Sequence, residues 1–459
     1  MVRRSSALLL AACWAATTMM GTAPVGANPF GPPAVAFVAP PDEAGPPGRA
    51  EQRTRCAVPV ASSRVTPATR AVRALLDIDR LHRISTGRGQ TVAIIDTGVT
   101  PHPRLPAVRD GGDYVTARGG RDDCDAHGTL VAGLIAARPG GADGFVGLAP
   151  DVALISIRQS SAAFSPARRA DDRTEATVGS GYGSVASLAA AVMRAVRLGA
   201  TVVNISEVAC SPSAARSALG DAGLGAALRH AVDRNVVVVV AAGNVSGEGG
   251  CREQNPTSSR AQRWSAVRTV ATPAWFSDYV LTVASVDSTT GAPSPFSLAG
   301  PWVSIAAPGT DLTSLDSRPG RSGLVSGISG SDGAVPISGT SFAAAYVAGT
   351  VALVRARHPE LDAHAVMKRI TATATGHGDV PDARVGHGLI DPLAALTAEI
   401  PASEGVAAVR FRPAPSAPAR SSIPSIVAVG GAIALVVALA VMSGCLRSRH
   451  RITPFDDGL

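Results

Sequence analysis

Thr91-Val92-Ala93-Ile94-Ile95-Asp96-Thr97-Gly98 decides the fold class of this chain. Its first five residues are uncharged and four of them are β-branched, the character of a strand buried on both faces; the run ends on a carboxylate and a turn. Residues 152–157, 201–205, 235–240 and 279–284 repeat the apolar run. Between them, residues 185–198 and 219–233 read as helices that stop near Gly199 and Asn235. Strand, helix and strand in succession predict a three-layer α/β fold, with a mostly parallel central sheet and helices on both faces. Asp96 then stands at the carboxyl end of a strand, where open sheets of this kind gather their ligands.

Two other segments open helices with reactive side chains. His127-Gly128-Thr129-Leu130-Val131-Ala132-Gly133 begins one with a histidine, and Gly339-Thr340-Ser341-Phe342-Ala343-Ala344-Ala345 leads into another, residues 342–356. The Ser341 hydroxyl sits at the positive end of that helix dipole. A serine hydroxyl is a poor nucleophile at neutral pH. It needs a base in hydrogen-bond reach, and the base needs an anion to hold its tautomer and stabilise the imidazolium. Asp96, His127 and Ser341 supply these groups in the chain order Asp, His, Ser, one of the orders in which such triads occur. The strand at 235–240 runs into Ala241-Ala242-Gly243-Asn244, so the Asn244 amide, beside the Ser341 backbone N–H, is the candidate oxyanion donor. Asp-Thr-Gly after an apolar strand also fits a two-aspartate mechanism, but no second Asp-Thr-Gly or Asp-Ser-Gly occurs.

The remainder of the chain places this domain. Residues 1–27 carry Arg3 and Arg4, an apolar stretch at 7–16 and the small residues Val25-Gly26-Ala27, the pattern of a cleaved export signal. Residues 28–66 are rich in Pro, Gly and Ala, show no helical or strand period, and read as an extended N-terminal arm. The α/β domain is expected over 67–400, with a surface insertion at 160–182 and a Gly/Ser-rich loop at 314–335. A Pro, Ala and Arg linker follows at 401–424, then a C-terminal transmembrane helix at 425–445 built on the apolar run 426–442. The tail at 446–459 carries Arg447, Arg449 and Arg451. A signal followed by one stop-transfer segment predicts a single-pass membrane protein with its domain outside the cytoplasm and its tail within.

Of six cysteines, Cys13 and Cys445 fall in the end segments; Cys56, Cys124, Cys210 and Cys251 remain for two disulfides, with three possible pairings. Net charge is +7 and Lys368 is the only lysine; arginines scattered over an exported chain form a solvated surface rather than a nucleic-acid site. No Cys-x-x-Cys and no Asp-x-Asp-x-Asp-Gly loop occurs, so no metal or cofactor is expected.

On these residues the stretch from about 70 to 400 resembles the subtilase family, and more narrowly the mycosins, membrane-anchored subtilases of mycobacterial type VII secretion systems. The narrower likeness rests on the arm, Asp96-Thr97-Gly98, the His127 motif with Leu130, Asn204-Ile205-Ser206-Glu207, the Ser341 motif continued as Tyr346-Val347-Ala348-Gly349, the four exported cysteines and the late span. The resemblance implies a subtilisin-like fold and a serine endopeptidase in which Ser341 attacks, His127 carries the proton, Asp96 orients His127 and Asn244 binds the oxyanion. It further implies substrate contacts at Ser206, Glu207, Val208, Ala242 and Gly243, an exported protein as substrate and a secretion membrane complex as partner. A structural subunit of that complex is the alternative role.

The chain departs from the subtilase pattern at three places. Leu130 stands where a second His is common, Ala345-Tyr346 where Pro-His is common, and Glu207-Val208 where Leu-Gly is common. The third change narrows the primary pocket and brings charge beside it, which points to selective cleavage. Residues 28–66 also lack the strand pattern of a foldable inhibitory propeptide, so the arm is expected to stay attached. A Cys56 to Cys124 bridge would tie it beside the cleft, leaving Cys210 with Cys251.

Overall fold

The computed structural model describes residues 31–400 apart from 32, 34, 37, 141–142, 168–175, 180, 247–250, 258–263, 332 and 377–380. The export signal, the linker, the expected span and the tail lie outside the described residues. Among the described residues no helix is long and apolar enough to cross a membrane.

Seven parallel strands form the central sheet, in the order Ile305–Pro308, Leu281–Val286, Val237–Ala241, Val202–Ile205, Thr91–Asp96, Ala153–Arg158 and Val108–Asp113. The five strands expected from apolar runs are its centre. The two that the sequence concealed are its edges. Val108–Asp113 exposes two of its six residues and carries two glycines, and Ile305–Pro308 is only four residues long, so neither makes a long apolar run.

Along the inner strands, side chains alternate between two cores, as the pleat requires. Val92 and Ile94 enter one, Ala93 and Ile95 the other; Val237 and Val239 divide from Val238 and Val240 in the same way. The helices His127–Ala136 and Thr340–Arg357 belong to the first core, and the helices Val185–Arg197 and Ala222–Asp233 to the second. The expected stops hold: Gly199 and Asn235 both take the left-handed conformation, with φ of 81° and 60°, which ends the helix before each. The helix expected over 219–233 begins later, at Ala222, after a separate 3-10 segment Ser213–Leu219.

The arm corrects the reading of residues 28–66 as strandless. Ala50–Gln52 pairs antiparallel with Phe164–Pro166, and Pro59–Ser62 pairs antiparallel with Leu324–Gly330. Residues 314–335, expected as a loop, therefore contain a strand, which also pairs with Gly333–Pro336 and Ser314–Leu315. The insertion at 160–182 is likewise more than surface: Ala163, Phe164 and Tyr182 are buried with Val115 and Cys124 in a small third core. Strands of two to seven residues held by backbone bonds at a periphery leave little side-chain period to read. The Cys56 and Cys124 sulfurs, 2.13 Å apart, are bonded, fastening the arm between its two strands. Cys210 is bonded to Cys251.

Candidate active site

Asp96 ends its strand fully buried, and its Oδ1 accepts the Thr97 backbone N–H at 2.7 Å and pairs with His127 Nδ1 at 2.7 Å. The close pairing has a backbone cause. A Cβ on Gly128 would stand 2.0 Å from the Gly98 carbonyl oxygen, so only glycine lets the helix start press against the Asp96 turn. The same joint is bonded twice over. Thr97 Oγ1 accepts the Gly128 N–H at 3.0 Å and donates to Asp123 Oδ1 at 2.9 Å, while Asp123 Oδ2 accepts the Thr129 N–H at 2.9 Å and its hydroxyl at 2.6 Å. Asp123 thereby caps the Thr129 N–H and Thr97 the Gly128 N–H, two backbone donors that the first turn of the helix leaves unpaired. Burial pushes the Asp123 carboxyl up to about 6, against the hydrogen bonds from Thr129 and Thr97.

Ser341 opens the buried helix Thr340–Arg357 and is itself 7% exposed. Its hydroxyl donates to the Ser206 carbonyl oxygen at 3.0 Å, and among the described residues no bond joins it to His127. The hydroxyl thus rests on a backbone carbonyl rather than on the imidazole. The Phe342 ring lies 5.2 Å from the His127 ring, tilted by 45°, so the two helix starts meet through an aromatic contact instead.

Asn244 is oriented by Thr340. Its Oδ1 accepts the Thr340 backbone N–H and hydroxyl, both at 3.0 Å. A backbone N–H only donates, so the amide oxygen must face it and the Nδ2 donors point away, toward the Gly339 side of the Ser341 turn, where a Cβ on Gly339 would meet Nδ2 at 3.3 Å. Neighbouring Gly243 donates to Thr340 Oγ1 at 3.2 Å, and Ala242 follows the strand in bonding to the Val283 carbonyl at 2.9 Å.

Ser206-Glu207-Val208 follows the strand Val202–Ile205 directly. Val208 Cγ2 stands 3.3 Å from where a Cβ on Gly243 would be, so the two segments expected to contact substrate lie against one another. Glu207 does not reach into open space. Its Oε1 lies 3.9 Å from His127 Nδ1 with the side chain 20% exposed. Burial raises its carboxyl, opposed by His127 and reinforced by Asp96 and Asp125. For His127, burial works downward but is outweighed by the charge of Asp96, the hydrogen bond to it, and the charges of Glu207 and Asp123, so the imidazole is raised. Asp96, His127 and Glu207 are also the one trio among the described residues whose ligand-type atoms lie within 4.8 Å of one another; the 2.7 Å hydrogen bond inside it marks an acid–base group.

A base paired to a buried carboxylate, set against the start of a helix that carries a serine and orients an outward amide, can carry out acyl transfer. A family model described as the subtilase family matches residues 87–388. The chain belongs to the subtilase family. Mycosin-1 of Mycolicibacterium smegmatis is 43% identical over 427 residues, covering 90% of this chain and 93% of its own. Thus the chain falls in the mycosin group of subtilases, and it is a serine endopeptidase of subtilisin type. The crystal structure of MycP1 from Mycobacterium smegmatis superposes with a TM-score of 0.75 at 44% identity, over 84% of this chain and 99% of that one. A chain of an intact ESX-5 inner membrane complex superposes with a TM-score of 0.72 at 40% identity, over 90% and 99%.

Three groups at this subtilase site escaped sequence reasoning: Asp123, Phe342 as a ring against His127, and the Gly179 backbone, whose N–H donates to the Val208 carbonyl at 3.0 Å. Asp123 had one faint signal, an acid four residues ahead of the histidine that opens a helix.

Proposed function

We propose that this mycosin-group protease is a membrane-anchored endopeptidase that cleaves selected exported proteins at Ser341 in association with a type VII secretion complex. The Ser341 hydroxyl turns from Ser206 toward His127, and its oxygen attacks the scissile carbonyl as His127 takes the proton. Asp96, through its 2.7 Å bond to Nδ1, holds the tautomer that leaves the other ring nitrogen free to accept. Asn244 Nδ2 and the Ser341 N–H receive the tetrahedral oxyanion. His127 then returns the proton to the leaving amine, and water releases the acyl group by the same steps. Substrate runs along Ser206-Glu207-Val208 and past Ala242 and Gly243. The observation that carries this reading is the Asp96 to His127 hydrogen bond, with His127 set against Phe342 at the helix start that carries Ser341 and binds Asn244 through Thr340.

The export signal at 1–27, the span at 425–445 and the basic tail support the anchored, extracytoplasmic placement. Protease added to intact cells should digest the domain and spare the tail beyond Arg447. A second reading, a structural subunit of the complex, is favoured by likeness to a chain from an ESX-5 inner membrane complex. Complementation of a deletion strain with Ser341→Ala separates them: secretion restored without cleavage assigns the structural role, and secretion lost together with cleavage assigns the protease role.

A further inference from the structure

Two carbonyls on the substrate wall are already occupied. Ser206 oxygen accepts the Ser341 hydroxyl at 3.0 Å, and Val208 oxygen accepts the Gly179 backbone N–H at 3.0 Å. Residues two apart present their carbonyls along one edge of an extended segment, so a substrate strand adding to this wall competes for both. Gly179 has a second contact. A Cβ there would lie 2.4 Å from Glu207 Oε2, so its bare backbone abuts the carboxylate whose other oxygen lies 3.9 Å from His127 Nδ1.

We propose that Glu207 is a positioning residue for the catalytic base, held beside His127 by Gly179 and released when a substrate strand takes Gly179's place on Val208. The proposal rests on the reading of His127 as base. The groups facing His127 are Asp96 from the sheet, Asp123 from the turn before its helix and Glu207 from the substrate wall; Glu207 itself faces His127, Asp96 and Asp125. All the partners are acids, so each favours the imidazolium, and an imidazolium cannot take the Ser341 proton. Moving Glu207 away removes the one acid that is not built into the His127 joint. Base strength is thereby coupled to occupancy of the wall.

The test follows the His127 ring directly, by ¹⁵N-imidazole resonances of the full chain carrying Ser341→Ala, with His127→Gln to assign the signal. Glu207→Gln, which keeps the shape, should lower the His127 titration midpoint by about one pH unit. Gly179→Asn adds a Cβ in a residue that tolerates the local φ of 67°, and should lower it in the same direction. The double variant should move it no further than Glu207→Gln alone. A midpoint unchanged in Glu207→Gln, or shifts that add in the double variant, would overturn the proposal. Because the nucleophile is absent throughout, these outcomes do not depend on hydrolysis; the catalytic reading fails separately, if His127→Gln in the otherwise intact chain keeps its activity.

Discussion

The two halves of the active site are built to different tolerances. On the Asp96 and His127 side, every approach is fixed by a short bond or a missing side chain: Asp96 to Nδ1, Thr97 to Gly128, Asp123 to Thr129, and Gly128 against the Gly98 carbonyl. On the Ser341 side, the hydroxyl is parked on the Ser206 carbonyl, and a single backbone N–H from the insertion occupies the Val208 carbonyl. The orienting pair is thus preassembled, while the nucleophile and the substrate wall wait for an occupant. Preassembly keeps reorganisation out of the reaction step where charge develops. On the proposed reading, the waiting half is where selectivity enters, because a substrate strand there would have to compete for the Ser206 and Val208 carbonyls.

The strongest way to break this comparison is Ser341→Ala. It should lower kcat by on the order of 10⁶, the scale known for removal of a subtilisin nucleophile, while leaving the preassembled half and the fold unchanged. Retained labelling by a serine-directed phosphonate would place the nucleophile elsewhere. Next in size is Asn244→Ala, which should cost roughly 10² to 10³ in kcat with little change in KM, since its amide acts only on the developing oxyanion. An unchanged kcat would assign the oxyanion to another donor and remove Thr340 from the argument.

What could be read from sequence follows the same division. Asp96, His127 and Ser341 were legible because their chemistry sits at strand and helix ends inside apolar runs, and the inner strands were legible because both faces are buried. Asn244 was legible as a polar residue in the turn that follows a run of consecutive valines, though its contact with Thr340 was not. The direction of the Ser341 hydroxyl was not, because a rotamer answers to its neighbours rather than to a motif. Neither was Gly179 on Val208, a bond between backbones 29 positions apart with no side-chain requirement except the absence of one. The arm strands stayed hidden for a related reason: Ala50–Gln52 and Pro59–Ser62 are specified by the edges they find, and Pro and Gly around them mask any alternation.

The arm sets a third test. Cys56 and Cys124 close 68 positions of chain, worth about 4 kcal/mol in the chain-entropy account. Replacing both by Ser should lower the thermal midpoint and expose residues 50–62 to limited proteolysis. Because the His127 joint keeps its own hydrogen bonds through Thr97 and Asp123, residual kcat at low temperature should be largely kept. A collapse of kcat equal to that of Asn244→Ala would mean the preassembled half depends on the arm.

The smallest effect should come from Asp123→Asn, which probes the preassembled half from within. The folded carboxyl keeps its proton up to about 6, above its ordinary value of 3.8, so the folded state binds more protons than the unfolded one between those values. Its contribution to stability is therefore greatest below 3.8 and is lost as pH rises through about 6. Asparagine cannot titrate, and that part of the stability curve should flatten in thermal unfolding followed from pH 4 to 7. At neutral pH the amide oxygen can still accept the Thr129 N–H, but it cannot serve both threonine hydroxyls as the two carboxylate oxygens do. One weakened hydrogen bond of about 1 kcal/mol corresponds to roughly a fivefold loss in kcat/KM if it is felt at His127. Loss of a thousandfold would show that Asp123 holds the base far more tightly than one bond allows, and an unaltered stability curve would show that its carboxyl does not titrate in this range.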